Sequence, residues 1–363
     1  MIIRARAPLR LGLAGGGTDV SPFCDLHGGY VLNATIDRFS YAIIRPLNEA
    51  VVRFAAADQE KAVALSLSDL NKRTGMLCLH QTVYGKMVEL YNASKPIPVE
   101  LTTFSDAPPG SGLGSSSALV VVMIQALAEF LGVTLDDYSV ARLAFQVERV
   151  DCGLQGGRQD QYSAACGGFN FMEFYADERA VINPLRIKSH IICELEASLL
   201  LLHTGISRES SNIIQAQSEN IHAGVLDAID GMHGLKNEAL IMKECLLKGD
   251  FDRMVQSMRQ GWESKKRTAA GVSNPKIDAV YDAAVRAGAL AGKISGAGGG
   301  GFMMFLVPPE KRIDVTRRLA EFGKVSSCHF TKQGAQAWRI PEHCAGFAGT
   351  DARGAHVATI AEQ

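Results

Sequence analysis

A run of alternating glycines followed by three serines most constrains what this chain can fold into. It reads P-P-G-S-G-L-G-S-S-S-A over residues 108–118, between a β-prone stretch at 99–104 and a long apolar stretch at 115–131. The three glycines let the backbone turn tightly and present N–H groups, and a helix N-terminus behind them adds partial positive charge. The segment therefore predicts a strand, an anion-binding loop and a helix buried between layers. The alternative is a simple turn before a buried helix, but a turn needs only one or two glycines.

The anion that this loop would bind is a phosphate group held by amides and hydroxyls. The Walker A pattern G-x-x-x-x-G-K-[ST] is absent, because serines stand where its lysine would be. The predicted phosphate-binding residues are Pro109, Gly110, Ser111, Gly112, Leu113, Gly114, Ser115, Ser116 and Ser117.

A second glycine segment, P-L-R-L-G-L-A-G-G-G-T-D, covers residues 8–19. Its glycines permit close approach of a polyhydroxylated ligand, and the final carboxylate can accept bonds from two hydroxyls. A sugar would suit such a loop, and a hairpin loop capped by Thr and Asp explains the pattern equally well. The predicted substrate-binding residues here are Gly15, Gly16, Gly17, Thr18 and Asp19.

A third segment, K-I-S-G-A-G-G-G-G-F, covers residues 293–302 and contains a literal G-x-G-x-x-G match. The residues that follow, 302–307, have the pattern of a strand, whereas a dinucleotide-binding unit needs a helix there. The dinucleotide interpretation therefore fails, and we expect a loop between strands that closes over a ligand. Gly298 and Gly299 are its predicted substrate contacts.

Two carboxylates lie between the second and third of these segments, within F-Q-V-E-R-V-D-C-G-L-Q-G-G-R-Q-D-Q at residues 145–161. Glu148 ends a predicted helix, where its charge opposes the helix dipole, and Asp160 follows a Gly-Gly turn. Both positions favour a nearby cation. Without the glycine loops, solvated surface charges would be the better interpretation.

Charge and composition exclude several classes of protein. The 37 Lys and Arg nearly balance the 38 Asp and Glu, and no run of five like charges occurs, so a nucleic-acid partner is not expected. The most continuous apolar run, 118–128, is far shorter than the roughly 20 residues of a membrane span. The eight cysteines form no C-x-x-C pair, and residues 1–14 do not have the pattern of a secretory signal, so we expect a protein of the reducing cytoplasm.

The order of predicted elements indicates an α+β protein with two domains. Short β-prone runs dominate the first hundred residues, and helices follow at 115–131 and 134–150, the second with a capping-box-like T-x-x-D start. The pattern restarts with a strand at 191–203, continues with helices, and ends as β-α-β. The predicted domains are 1–180 and 181–340, followed by an aperiodic tail at 341–363.

These motifs, in this order and spacing, resemble the GHMP kinase superfamily over residues 1–338. The resemblance implies a ribosomal-protein-like N-terminal domain, a ferredoxin-like C-terminal domain, and ATP and substrate meeting between them. The opening A-P-L-R-L-G-L-A-G-G-G-T-D-V resembles the branch that phosphorylates anomeric hydroxyls of sugars, the heptose 7-phosphate kinases and L-fucokinases. The galactokinase-like G-E-H-T-D is absent.

The resemblance also implies roles for single residues. Ser116 and Glu148 match positions that hold Mg²⁺, Asp160 matches the catalytic aspartate, and Arg10 would supply positive charge at the transferring phosphoryl group. The implied partner is a small sugar phosphate, with heptose 7-phosphate as the predicted acceptor. The sequence leaves open whether the protein forms a homodimer. Ser207 and Arg208 would lie on the sugar side, with Arg208 as the predicted anchor of the acceptor's phosphate. An L-fucokinase, another GHMP small-molecule kinase and a catalytically inactive sugar sensor are the alternatives.

Overall fold

The computed structural model describes residues 1–68, 75–205 and 210–341, whose strands form two sheets. The strands are β1 (Ile2–Ala14), β2 (Gly29–Pro46), β3 (Val51–Ala56), β4 (Lys61–Ser66), β5 (Val99–Ser105), β6 (Phe169–Phe174), β7 (Ala180–Pro184), β8 (Leu199–His203), β9 (Ala291–Ile294), β10 (Phe302–Leu306), β11 (Lys324–Ser326) and β12 (Gln336–Ile340). The helices are α1 (Phe23–His27), α2 (Cys78–Tyr91), α3 (Ser115–Leu131), α4 (Asp137–Phe145), α5 (Gln159–Cys166), α6 (Ser189–Ser198), α7 (Ser210–His222), α8 (Leu226–Lys248), α9 (Phe251–Thr268), α10 (Pro275–Ala287) and α11 (Arg312–Leu319). A π-helical segment, Gln146–Asp151, continues α4.

The long strand β2 organises the first sheet, whose order is β12-β1-β2-β5-β3-β4. One edge of β2 pairs with β1, and its other edge pairs with β6 near its start and with β5 near its end. β7 extends the sheet beyond β6. The strand pairs are antiparallel except for β3 and β5, which run parallel. Pairing with β2 therefore fixes the end of β1 directly before the Gly15–Gly17 run of the second glycine segment.

The second sheet has the order β11-β8-β10-β9 and is antiparallel. Successive side chains of a strand point to opposite faces, and the four leucines of β8 use both. Leu199 and Leu201 pack into the core shared with the first sheet, whereas Leu200 and Leu202 pack into a second core that includes residues of α10 and α11. This sheet is therefore buried on both faces, with one core on each side of it.

Two predicted helices match the structure closely. α3 spans 115–131 as predicted, with glycines in the left-handed conformation flanking both ends and most of its residues buried. α10 begins where Asn274 precedes Pro275, and the Asn274 side chain accepts hydrogen bonds from the N–H groups of Lys276 and Ile277.

Other local predictions were wrong or incomplete. Residues 191–198, predicted as part of a strand, lie instead in α6, because Ile191 and Leu195 are buried at helical spacing. The helix predicted from 134 begins at Asp137 with Asp136 as its N-cap, and it gives way to π-helix at Gln146. The sequence patterns do not predict α2, α5, β4, β7 or β12.

The sheets divide the chain differently from the predicted boundaries. β7 extends the first sheet to Pro184, beyond the predicted boundary at 180. β12 returns to pair antiparallel with β1, so residues 336–340 also belong to the first sheet. The second sheet and its helices lie between these two segments, and the predicted tail lies, beyond Pro341, outside the described residues. No helix within the described ranges is both long and apolar enough to cross a membrane.

Candidate active site

A cavity of about 440 Å³ lies where the three glycine segments converge. It is bordered by the end of β1, the loop before α3, the π-helical segment, the start of α5, α9 and the loop after β9. The predicted residues that line it are Arg10, Gly16, Gly17, Asp19, Pro109, Gly110, Gly112, Gly114, Ser115, Ser116, Ser117, Glu148 and Asp160. Residues more than 100 positions apart thus meet around one space.

The glycines of the first segment are required by its geometry. Gly110, Gly112 and Gly114 have φ of 73°, 79° and 76°, a conformation that disfavours other residues. A Cβ on Gly112 would overlap the carbonyl oxygen of Ser295. This phosphate loop therefore has a positive φ at three glycines before the N-terminus of α3, and at Gly112 it packs tightly against Ser295 of the C-terminal half.

Two predicted residues of the phosphate loop face away from the cavity. The carbonyl of Ser111 accepts a hydrogen bond from the Phe302 N–H at 2.9 Å, and the carbonyl of Leu113 accepts one from the Arg10 N–H at 3.0 Å. Both residues are buried. They fix the loop from behind.

Glu148 is a buried carboxylate, 1% exposed, at the π-helical segment. It accepts hydrogen bonds from Ser116 Oγ at 2.8 Å, Ser117 Oγ at 2.7 Å and Gln161 Nε2 at 2.6 Å. The Arg149 guanidinium lies 3.4 Å from Glu148 Oε1. These contacts tie the carboxylate to the first turn of α3, beside the predicted position of the phosphates.

The residues around Glu148 fit a magnesium ion bound partly by substrate. A carboxylate and a hydroxyl 2.8 Å apart are hard oxygen ligands, and Mg²⁺ usually takes one or two carboxylates plus substrate phosphates and water. The described residues contain no cluster of three or more His, Cys, Asp or Glu side chains that could enclose a metal without such help.

Arg10 and Asp160 form an ion pair in the lining of the cavity. Arg10 Nε and Nη2 both lie 2.7 Å from Asp160 Oδ1, and Arg10 Nη1 donates to the carbonyl of Gly112 at 2.6 Å. Their side chains are 5% and 20% exposed, respectively. The guanidinium therefore links β1, the start of α5 and the phosphate loop.

The second glycine segment presents its two ends differently. Gly16, Gly17 and Asp19 line the cavity, and the Asp19 carboxylate accepts hydrogen bonds from Gln159 N at 3.0 Å and Gln159 Nε2 at 2.9 Å. Thr18 is fully buried, its hydroxyl lies 2.8 Å from the Gly15 carbonyl, and it accepts from the Tyr30 N–H at 3.0 Å. Gly15 and Thr18 thus shape the loop behind the residues that face the cavity.

The third glycine segment contributes other residues than those predicted. Gly296 and Ala297 line the cavity, whereas Gly298 packs against Val272 and the Gly299 N–H donates to the Val272 carbonyl at 2.9 Å. Ser207 and Arg208 lie outside the described residues.

Two lysines, Lys265 of α9 and Lys293 of β9, also line the cavity, and we call them the lysine pair. Lys265 Nζ donates to the Gly16 carbonyl at 2.6 Å, and Lys293 Nζ donates to the Gly12 carbonyl at 2.9 Å. Sequence reasoning missed both as site residues. Lys293 at least adjoins a glycine segment, but Lys265 is one of three successive basic residues in an amphipathic helix, so no local signal distinguishes it.

Removal from water lowers the pKa of both ammonium groups, to about 8 for Lys265 and about 7 for Lys293. For Lys265, the Asp19 carboxylate opposes this effect and the Arg10 guanidinium adds to it. For Lys293, the charges of Lys265 and Arg10 lower the pKa further. The lysine pair and Arg10 therefore bring three basic groups close together on this side of the cavity, and their proximity makes the ammonium forms of the two lysines harder to keep.

Two family models match the chain: the GHMP kinases N terminal domain over residues 80–168 and the GHMP kinases C terminal over residues 242–325. The chain is also 42% identical to the D-glycero-alpha-D-manno-heptose 7-phosphate kinase of Campylobacter jejuni, over 93% of this chain and 99% of that protein. The chain belongs to the GHMP kinases. Because these enzymes use ATP as phosphate donor, this member is an ATP-dependent phosphotransferase, and the predicted family and nucleotide are confirmed.

A solved structure of a D-glycero-D-manno-heptose 1-phosphate kinase from Bacteroides thetaiotaomicron is also similar to this GHMP kinase. It has a TM-score of 0.79 and 39% identity, covering 93% of this chain and 99% of that one. The L-fucokinase/L-fucose-1-P guanylyltransferase of Bacteroides fragilis is 25% identical over 88% of this chain but 36% of its own length. The similarity to the Bacteroides thetaiotaomicron structure confirms the predicted two-domain α+β fold.

Proposed function

We propose that this GHMP kinase transfers the γ-phosphoryl group of ATP to the anomeric hydroxyl of D-glycero-D-manno-heptose 7-phosphate, giving the 1,7-bisphosphate. One observation carries the proposal: a single cavity joins the phosphate loop, the Arg10–Asp160 pair and the Gly16–Asp19 loop. The 42% identity to a heptose 7-phosphate kinase supports this choice of acceptor.

On the acceptor side, Asp160 receives the proton of the sugar hydroxyl. Arg10 holds Oδ1 through two N–H groups, which leaves Oδ2 to accept that proton as the hydroxyl oxygen attacks the γ-phosphorus. The bond from the γ-phosphorus to the bridging oxygen breaks, and ADP departs. Asp19 is held by Gln159 where its carboxylate orients other sugar hydroxyls.

On the nucleotide side, the phosphate loop and the N-terminus of α3 offer amides to the phosphates. Glu148 and Ser116 would hold Mg²⁺, which when bound neutralises charge on the β- and γ-phosphates. Arg10 adds a fixed positive charge beside the transferring group, so the site acts by positioning and charge neutralisation. ATP as donor also supports the cytoplasm as the compartment of this reaction.

An L-fucokinase is the second candidate, because the Bacteroides fragilis fucokinase is a distant relative. A neutral sugar such as L-fucose needs no cation away from the reacting hydroxyl, whereas the cavity contains the lysine pair. An inactive sugar sensor is disfavoured because Arg10, Glu148 and Asp160 all line the cavity.

The test is a panel of phosphoryl acceptors with MgATP, comparing heptose 7-phosphate, mannose, L-fucose and galactose. ADP release gives the rates, and ³¹P NMR of the product locates the new phosphate. We expect the highest kcat/KM with heptose 7-phosphate and a new anomeric phosphate signal. A higher kcat/KM with L-fucose would refute the proposed acceptor, and no turnover with any acceptor would favour a sensor.

A further inference from the structure

The lysine pair lies on the side of the cavity formed by the end of β1 and the Gly16–Asp19 loop. Lys265 reaches this side from α9, and a Cβ on Gly17 would lie 3.3 Å from its Nζ. Lys293 reaches it from β9, where its Nζ lies 2.9 Å from the Gly12 carbonyl and 3.2 Å from the Leu13 carbonyl. The two ammonium groups thus lie along one stretch of backbone, which runs from near Arg10 to the Gly16–Asp19 loop.

Neither ammonium group has a carboxylate within 4.0 Å in the part of the chain that the structure describes. Both ammonium groups donate to backbone carbonyls, which are neutral. A lysine carries three donors, so each retains at least one N–H beyond these bonds. Charged groups withdrawn from water are costly unless they are paired, and the lowered pKa values of the lysine pair reflect that cost.

The two carboxylates on this side of the cavity, Asp19 and Asp160, already accept hydrogen bonds from other residues. Asp160 is bound by Arg10, and Asp19 accepts hydrogen bonds from the amides of Gln159 and Gly17. The wall therefore holds three cationic side chains, Arg10 and the lysine pair, against two carboxylates. An anionic group of the ligand would complete it, and phosphate is the anion that lysine commonly binds as a point charge.

We propose that the lysine pair binds the phosphate group that the acceptor sugar already carries, and so selects phosphorylated over neutral sugars. This inference rests on the proposed function, because it assumes an acceptor bound at the Gly16–Asp19 loop. The location distinguishes this phosphate from those of ATP: the nucleotide phosphates belong to the loop before α3, whereas Lys265 contacts the Gly16 carbonyl. Lys265 is the main anchor, and Lys293, whose Nζ lies at the Gly12 and Leu13 carbonyls, supplies the second ammonium group.

The experiment measures binding and turnover separately for Lys265→Met, Lys265→Arg and Lys293→Met. Isothermal titration without ATP gives Kd for heptose 7-phosphate and for the unphosphorylated heptose, and steady-state kinetics give KM for ATP and for both acceptors. We expect Lys265→Met to weaken heptose 7-phosphate by about 10- to 100-fold, the usual range for a hydrogen bond to a charged group. The unphosphorylated heptose and the KM for ATP should change less than about twofold, and Lys265→Arg should restore part of the preference.

Lys266→Met is the matched control. Lys266 is the next residue of α9, pairs with Glu263 at 2.7 Å, and does not line the cavity, so its substitution should leave both ratios unchanged. Circular dichroism and a thermal melt check that each variant is folded. Lys293→Met supplies an independent test if Lys265→Met fails to fold.

Different results overturn the two proposals. Equal loss for both acceptors, or loss confined to ATP, would refute the lysine pair as the acceptor's phosphate anchor while leaving the kinase reaction intact. Wild-type enzyme that binds heptose 7-phosphate through Lys265 but does not phosphorylate it would refute the proposed function and support the anchor. Wild-type enzyme that does not bind it would refute both.

Discussion

Replacing Asp160 by Asn tests the centre of the proposed mechanism. Asn keeps the size of the side chain but removes the charge that Arg10 Nε and Nη2 contact at 2.7 Å and the oxygen that would receive the proton. A positioned acid–base group contributes about 10²–10⁴ in rate, so we expect kcat to fall by that factor. That fall corresponds to about 3–5 kcal/mol in the barrier. The KM for ATP should change little, because the phosphate loop and Glu148 are untouched.

The same substitution should also reduce the free energy of unfolding. Breaking a fully buried ion pair costs about 3–5 kcal/mol, and the 20% exposure of Asp160 lets water screen part of that, so we expect about 1–3 kcal/mol. Urea unfolding measures this loss, and single-turnover phosphoryl transfer measures the chemical step. The control is Asp227→Asn, since Asp227 pairs with Arg267 at 2.7 Å but is 67% exposed, and its loss should cost under about 1 kcal/mol with kcat unchanged. A kcat near that of the wild type in Asp160→Asn would remove this carboxylate from the mechanism.

Three further outcomes follow from the site. Activity should require Mg²⁺, and Glu148→Gln should raise the Mg²⁺ concentration for half-maximal rate by about tenfold or more. If the rate of Glu148→Gln depends on Mg²⁺ concentration as the wild type does, another carboxylate binds the ion. Gly157→Ala places a Cβ over the Asp19 carboxylate, so it should raise the KM for the acceptor by about tenfold and leave the KM for ATP unchanged. The control is Gly85→Ala, whose Cβ meets nothing within 4 Å. Equal effects of the two substitutions would contradict a steric effect on Asp19. Lys265 is charged below its pKa of about 8 and Lys293 below its pKa of about 7, so the KM for a phosphorylated acceptor should rise as pH increases from 6.5 to 9. A KM for heptose 7-phosphate that stays constant over this pH range, as for the unphosphorylated heptose, would refute this prediction.

Where structure is dictated locally, the sequence predicts it well. α3 follows from an apolar stretch flanked by glycines, and α10 follows from Asn274 before Pro275. α6 was mistaken for a strand, because short apolar runs such as Ile191–Ile192 fit both periods until their packing is known. β12 lacks clear alternation, and its pairing with β1 joins residues more than 300 positions apart.

The candidate site likewise contains residues that the sequence predicts and residues that it does not. The phosphate loop, Glu148 and Asp160 are carried by contiguous motifs, so they could be proposed from the sequence. The lysine pair could not, because the charge of Lys265 becomes significant only when α9 places it over the Gly16 carbonyl. Thr18 shows the converse: its motif resembles a ligand contact, but its hydroxyl is occupied by the backbone at Gly15 and Tyr30.

The pairing of β12 with β1 affects how the protein folds during synthesis. β1 is translated before the other strands, but the strand that covers its outer edge ends at Ile340, opposite Ile2. At about 5–20 residues per second, roughly 8–30 s separate translation of β7 from that of β12. In this interval the outer edge of β1 offers unpaired N–H and C=O groups to any other strand. A nascent chain stalled before Gln336 would therefore present an open sheet edge at residues 2–6, on the same strand that carries Arg10.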